Sequence, residues 1–306
     1  MDLQQAEKWL RLTDYLPRRH PLRSRQPNLS CNPYFVIGSG RNGSTMLSAM
    51  LDAHPDVLLP TEQWRFPNMI LKYKAYNFLP WKELVSLIIG EIAATNANLN
   101  WFVNFNDTLA TLQYLPKEEQ SLQKIIDEIY LAYAKTNDRE IKIWGEKSPK
   151  NMPFTPLLYQ VFPDARFIFL IRDGRDVARS WLVKNDSDDI DWISNSWNES
   201  IQKYEWLKRK AGEQQLMMVK YEDLVSEPEK ILTQIGDFLG VGFHPAMLEF
   251  QGFAKKIDDR YIRHFEKLKT TPNQGSIGMW KTHFSNHEQK QLQQIMGDNL
   301  EKFGYQ

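Results

Sequence analysis

Residues 34–45 read YFVIGSGRNGST. The first four are apolar and β-prone and stop at glycines, which predicts a short buried strand that leads into a loop. Apolar residues then recur at helical spacing from residue 46 to residue 51, which predicts a helix from Ser44 to about His54. A strand, a glycine-rich loop and a helix in this order predict an anion-binding site, because backbone N–H groups converge in the loop and the helix N-terminus adds positive charge.

The rest of the chain alternates between the two kinds of pattern. Further strands are predicted at residues 57–59, 141–144, 166–171 and 216–219, and helices at residues 173–183, 190–204, 228–239 and 288–303. This alternation favours an α/β fold with a central parallel sheet flanked by helices, and a nucleotide site at the C-terminal ends of the strands. Residues 1–33 read as an N-terminal arm, and residues 64–140 as a helical, aromatic-rich insertion.

Composition excludes several classes of protein. The chain has 306 residues, of which 42% are hydrophobic and 25% charged, and this excludes disorder and coiled coil. Its 38 basic and 38 acidic residues give no net charge, so we expect no nucleic-acid partner, and any anion site must be local. The single cysteine, Cys31, excludes an internal disulfide and favours a cytoplasmic location. We expect neither a secretory signal nor a membrane span.

The glycine loop fits more than one kind of phosphate site. Gly38, Gly43 and Thr45 have the spacing of a Walker A loop, but Ser44 stands where its lysine belongs, which argues against a nucleoside triphosphatase. The same loop satisfies G-x-G-x-x-G, with Glu62 near the place of a ribose-binding acid, so an NAD(P)-dependent oxidoreductase is an alternative. A non-catalytic phosphate-binding scaffold is another alternative.

Arg41 inside the loop supports a further interpretation. Residues 41–57, beginning RNGST, resemble the 5′-phosphosulfate loop of sulfotransferases that use 3′-phosphoadenosine 5′-phosphosulfate (PAPS), nearest to the tyrosylprotein and carbohydrate branches. Four further segments resemble motifs of that family: residues 146–149 (EKSP), 166–180 (RFIFLIRDGRDVARS), 219–224 (VKYEDL) and 275–281 (GSIGMWK). The resemblance implies a P-loop-like nucleotide-binding fold, a single sulfotransferase domain over residues 34–306, and an insertion on the acceptor side.

The resemblance also implies a role for each matching residue. The residues that would bind the donor are Asn42, Gly43, Ser44, Thr45, Arg172, Ser180, Tyr221, Trp280 and Lys281. Among them, Arg172 and Ser180 correspond to the 3′-phosphate motif. Glu62 would be the general base, while Arg41 and Lys147 would neutralise charge on the sulfonate and bridging oxygens. No metal is expected.

The chain departs from the family pattern at several places. Asn42 replaces the usual loop serine, and Met46 stands where cytosolic members stack a tryptophan on adenine. Asn273 and Gln274 replace an Arg-Lys pair, which would move part of the phosphate grip to Lys184 or Lys281. Cytosolic members carry a histidine base near residues 146–149; none occurs here.

The implied reaction is in-line transfer of a sulfonate group from PAPS to an acceptor hydroxyl. A small molecule, a glycan and a phenol are all compatible acceptors, and the sequence leaves the oligomeric state open. The aromatic side chains of the insertion either line an acceptor platform or form core. They include Trp64, Phe66, Tyr73, Trp81 and Trp101.

Overall fold

A computed structural model describes residues 19–24, 29–62, 65–94, 101–184, 187–250 and 274–305. The fold is α/β, a central parallel sheet flanked by helices, as the alternation predicted. The strands are β1 (Tyr34–Ile37), β2 (Val57–Leu58), β3 (Ile143–Lys147), β4 (Arg166–Ile171) and β5 (Leu216–Lys220). The α-helices of the described residues are α1 (Ser44–Asp52), α2 (Phe66–Ala75), α3 (Trp81–Ala93), α4 (Asn106–Gln113), α5 (Leu122–Thr136), α6 (Thr155–Val161), α7 (Gly174–Val183), α8 (Ile190–Ala211), α9 (Tyr221–Ser226), α10 (Pro228–Leu239), α11 (Trp280–His283) and α12 (Asn286–Lys302).

The chain divides into two compact units. The first unit comprises residues 1–34 and 55–165, and the second unit comprises residues 35–54 and 166–306. The predicted domain of residues 34–306 has residues in both units. That domain and the N-terminal arm stay predictions.

In the first unit, β2 and β3 pair in parallel, with Val57 opposite Ile143. The predicted strand at residues 141–144 is wrong in its bounds, since β3 begins at Ile143 and continues to Lys147. At the start of β3, the N–H groups of Lys142 and Ile143 both bond to the carbonyl of Asp56, at 2.9 and 3.2 Å, so the regular pairing begins only at Ile143. The charged residues that were predicted to follow the strand therefore lie inside it.

The insertion contributes core to the first unit. Phe66, Tyr73, Trp81 and Trp101 are buried, whereas Trp64 lies outside the described residues. Two of the indoles satisfy their N–H groups on backbone carbonyls: Trp81 on Leu112 at 2.6 Å and Trp101 on Thr61 at 3.1 Å. The structure therefore favours core over an exposed platform for these four residues. An acceptor role for the insertion stays a prediction.

In the second unit, the strand order is β1-β4-β5, and β4 and β5 pair in parallel from Phe167 opposite Leu216 to Ile171 opposite Lys220. Helix α7 begins directly after β4, because the Asp173 carboxylate accepts the N–H of Arg175 at 2.9 Å and caps the helix. The predicted loop-like tail is described only from residue 274, where turns lead into α11. No helix in the described part of the chain is long and apolar enough to cross a membrane.

Candidate functional site

The glycine loop of the second unit follows β1 and ends at the first turn of α1. Gly43 has φ +95°, and a Cβ there would lie 2.4 Å from the ring of Tyr221. A Cβ on Gly38 would lie 2.3 Å from the carbonyl oxygen of Leu170. Both glycines are therefore required by close approach of neighbouring groups, and Gly43 also by its left-handed backbone. Ser44 and Thr45 stand half-buried at the start of α1.

Asn42 braces this loop. Its side chain is buried, with Nδ2 donating to the carbonyl of Leu170 at 2.8 Å and Oδ1 accepting the N–H of Ser44 at 3.1 Å. The asparagine thus ties the loop to the end of β4, which a shorter serine could not do in the same way. Binding of PAPS by Asn42 stays a prediction. The two hydrogen bonds of its side chain already stabilise the loop.

Three predicted site residues lie close together at the loop: Arg41, Arg172 and Ser180. The Nε of Arg41 donates to Ser180 Oγ at 3.4 Å, and the Arg41 carbonyl accepts from Nη1 of Arg172 at 3.2 Å. Arg41 has φ +64°, which is uncommon for a residue with a side chain. Arg172 thus bonds to the backbone of Arg41, and Arg41 bonds to Ser180, beside the predicted anion site.

Arg172 is a buried cation. Its Nη2 donates to the carbonyl of Ser276 at 2.7 Å, and its guanidinium lies 4.5 Å from the ring centroid of Tyr221. Its Nε is buried and has no hydrogen-bond partner among the described residues. A buried, unsatisfied cationic donor is suited to an anionic oxygen such as that of a phosphate.

The C-terminal segment at residues 276–280 is anchored by an acid that the sequence analysis did not single out. Asp176 accepts the N–H of Gly278 at 2.7 Å and the N–H of Trp280 at 3.0 Å. Burial raises the pKa of Asp176, against which the charge of Arg172 and these two N–H groups act. The second acid of the RDGRD sequence was the available signal, but its partners lie about a hundred residues away in the chain.

The remaining predicted residues of the second unit lie in that segment or next to it. Tyr221 is buried, and its hydroxyl is 2.9 Å from Ser276 Oγ, so this tyrosine packs in the core and also contacts the segment. Trp280 is buried, with the guanidinium of Arg175 at 3.8 Å from its ring centroid. Lys281 is exposed, with Nζ 5.6 Å from the same ring.

The first unit holds the predicted catalytic pair. Lys147 Nζ forms an ion pair with Glu62 Oε1, and the exposed fractions of the two side chains are 5% and 23%. Lys147 is the last residue of β3, and Ser148 then caps the short turn Pro149–Asn151. An almost buried lysine thus holds a partly exposed carboxylate, which is where a base must be to meet an incoming hydroxyl.

Glu146 lies directly before this pair and was not predicted as a site residue. Its carboxyl is fully buried, receives the Tyr130 hydroxyl at 2.6 Å on Oε2, and receives Asn151 Nδ2 at 3.1 Å on Oε1. Burial, with a further contribution from the charge of Glu62, raises the pKa of Glu146 to about 8, although the two donors and Lys147 act in the opposite direction. Its place in the chain gave no sign of this, because the sequence does not show which groups pack on β3.

Among the described residues, no group of His, Cys, Asp and Glu is arranged to hold a metal ion. The expectation of metal-independent chemistry stays a prediction.

Comparison with known proteins gives a consistent result. The model of the Sulfotransferase family matches residues 33–245. A protein-tyrosine sulfotransferase of Drosophila melanogaster is 27% identical over 228 residues, covering 72% of this chain but 40% of the fly protein. A putative protein-tyrosine sulfotransferase of Caenorhabditis briggsae is 25% identical, covering 85% of each chain. This chain therefore spans less than half the length of the fly relative.

Solved structures agree on the fold. The sulfotransferase domain of an olefin synthase from Synechococcus PCC 7002 superposes with a TM-score of 0.62 at 22% identity, covering 95% of this chain and 99% of that domain. The predicted P-loop-like sulfotransferase fold is thereby confirmed, and so is the resemblance to the family. With most of its length matched by the family model, this chain belongs to the sulfotransferase family of enzymes.

Proposed function

We propose that this protein transfers a sulfonate group from PAPS to an acceptor hydroxyl. The observation that carries the proposal is the set of contacts that Arg172 makes. Its buried guanidinium bonds to the backbone of Arg41 in the glycine loop and to that of Ser276, and keeps one buried donor unsatisfied. A cation fixed in this way suits a doubly charged phosphate, and the 3′-phosphate of the donor is the group that it would bind.

In this proposal, the second unit binds the nucleotide. Arg172 and Ser180 receive the 3′-phosphate, and the backbone N–H groups of residues 43–45 receive the 5′-phosphate at the N-terminus of α1. Asn42 holds the loop in shape through Leu170 and Ser44. Tyr221, Trp280 and Lys281 contact the nucleotide from the other segments.

The first unit supplies the proton acceptor. Glu62 takes the proton of the acceptor hydroxyl while the hydroxyl oxygen forms a bond to sulfur. The bond between sulfur and the bridging oxygen breaks, and that oxygen leaves with the electron pair on the 5′-phosphate. Lys147 and Arg41 neutralise the charge that develops on the sulfonate and bridging oxygens.

A phenol is the acceptor class that we propose first. Carboxylates are weaker bases than imidazoles, so a glutamate base is better matched to a phenol than to a less acidic alcohol. The relatives named protein-tyrosine sulfotransferases support the same choice. Glycans and small alcohols remain the acceptors to be compared with it.

Nucleotide binding is the first experiment. A ligand at about 100 times its Kd stabilises a protein by about 2.7 kcal/mol, so thermal unfolding can rank 3′-phosphoadenosine 5′-phosphate, NAD and ATP. We expect the first to stabilise the protein most, and that preference to weaken in Arg172→Ala but not in the exposed control Arg209→Ala. A larger shift with NAD would support the oxidoreductase alternative, and no shift with any nucleotide would support the scaffold.

Turnover is the second experiment. PAPS labelled on the sulfonate is incubated with a tyrosine-containing peptide, a glycan and a simple alcohol, and labelled product is measured. We expect label on the phenolic oxygen. Nucleotide binding without label on any acceptor would contradict the proposed activity. A cytoplasmic location stays a prediction, based on the cysteine count.

A further inference from the structure

Behind the catalytic pair, strand β3 carries a second acid on its opposite side. Successive residues of a strand point to opposite faces, so Glu146 and Lys147 project in different directions. Lys147 meets Glu62, whereas Glu146 meets Tyr130 of α5 and Asn151 of the turn Pro149–Asn151. All of these residues belong to the first unit.

The partners of Glu146 are neutral. Among the described residues, no Lys, Arg or His forms an ion pair with its carboxyl, and Lys147 is already paired with Glu62. An ionised carboxylate buried without a cation is strongly unfavourable, and the nearby negative charge of Glu62 adds to that cost. The arrangement therefore favours a Glu146 that carries its proton.

We propose that Glu146 is a positioning residue for the Lys147–Glu62 pair: its neutral carboxyl anchors the end of β3 to Tyr130 and Asn151 and does not compete with Glu62 for Lys147. This inference rests on the proposed function for its effect on turnover, but not for the protonation of Glu146. Loss of that proton would place a second negative charge beside Lys147. Lys147 would then neutralise less of the charge that develops on the sulfonate.

The same cluster predicts how the effect depends on pH. Tyr130 and Asn151 contact Glu146, and the charges that act on it are those of Glu62 and Lys147. Because Glu146 ionises with a pKa of about 8, kcat/KM for PAPS should fall above that pH in the wild type. We expect a fall of roughly tenfold, the size of one added charge interaction in a partly shielded site.

Glu146→Gln tests the proposal, since glutamine keeps the acceptor oxygen for one donor but cannot ionise. Its profile of kcat/KM against pH should lack the fall above about pH 8, whatever the height of the profile. Tyr130→Phe removes a donor that favours the ionised form, so the fall should move to higher pH. The matched control Glu83→Gln, at an exposed site in α3, should keep the wild-type profile.

Infrared spectroscopy tests the protonation without donor or acceptor. At neutral pH, the wild type should show the carbonyl band of a protonated carboxyl that is absent from Glu146→Gln and present in Glu83→Gln. Identical pH profiles in wild type and Glu146→Gln, or no such band, would overturn the inference. Should the wild type transfer no sulfonate at all, the proposed function fails, and the infrared band still decides whether Glu146 is neutral.

Discussion

Two strand ends in this protein bury a carboxyl group and surround it differently. After β4, Asp176 accepts the N–H groups of Gly278 and Trp280 and lies in the field of Arg172. In β3, Glu146 accepts only from neutral side chains, and the charge of Glu62 opposes its ionisation. Burial raises the pKa of both, so the difference lies in the donors and charges around each acid.

The comparison shows that two similar acids can serve different ends. An acid with backbone donors can anchor a distant segment by accepting their hydrogen bonds beside a neighbouring cation. An acid with neutral donors anchors by hydrogen bonds and leaves the nearby cation to another carboxylate. We expect the second unit to depend on the hydrogen bonds that Asp176 accepts, and the first unit on the absence of charge at Glu146.

The largest effect is expected at Glu62, the acid of the first unit that pairs with Lys147. Glu62→Gln removes the proposed base but keeps the shape of the side chain, so kcat should fall roughly 100-fold or more. Affinity for 3′-phosphoadenosine 5′-phosphate should stay near that of the wild type. Steady-state turnover and calorimetric titration measure the two quantities, with Glu83→Gln as the control; undiminished kcat would remove Glu62 from the mechanism.

The cation of the second unit comes next. Arg172→Ala should weaken binding of 3′-phosphoadenosine 5′-phosphate by about 1.5 to 3 kcal/mol, the range for a lost hydrogen bond to a charged group. Adenosine 5′-phosphate, which lacks the 3′-phosphate, should bind wild type and variant with similar affinity. Calorimetry with both nucleotides measures this, and an equal loss for both would show that Arg172 does not read the 3′-phosphate.

Removing the carboxyl group of Asp176 should have a smaller effect. Asp176→Ala leaves the N–H groups of Gly278 and Trp280 without their acceptor, at a cost of about 1 to 3 kcal/mol in the free energy of unfolding. Chemical denaturation measures the loss, and Asp188→Ala at an exposed site should cause almost none. Equal stability of both variants would mean that Asp176 does not anchor the segment.

The neutral acid should show its effect as a slope of the free energy of unfolding with pH, which is the smallest of these changes when it is expressed per pH unit. The pKa of Glu146 is about 8 in the folded protein against an ordinary 4.5, so the folded state holds a proton that the unfolded state has released. This stabilisation is complete below about pH 4.5 and is lost as pH rises to about 8, at about 1 kcal/mol per pH unit near neutrality.

Glu146→Gln should lack this contribution. Its free energy of unfolding should therefore decline less than that of the wild type between about pH 6 and about pH 8. Denaturant titrations at several pH values, with Glu83→Gln beside it, measure the difference. Parallel curves for wild type and Glu146→Gln would mean that Glu146 does not hold its proton in the folded protein.

The sequence predicted most of the framework. Local patterns predicted β1, β4 and α10 at their observed bounds. In each of them, a glycine, a proline or a charged residue marks the point where the apolar pattern stops or starts. They failed at β3, where Glu146 and Lys147 read as a loop because charged residues seldom lie in a buried strand. Tyr130 and Asn151 satisfy Glu146 there, and the linear pattern does not show that either side chain packs against it.

The candidate site divides in the same way. By itself the sequence determined the family, the glycine loop and the residue types at Arg41, Glu62, Lys147 and Arg172, because these follow from motifs read along the chain. Tertiary structure alone decided that Asn42 braces the loop, that Asp176 anchors residues 276–280, and that Glu146 is buried among neutral donors. The physical reason is that solvation and charge at a side chain depend on which distant groups pack against it, and a linear pattern does not contain that information.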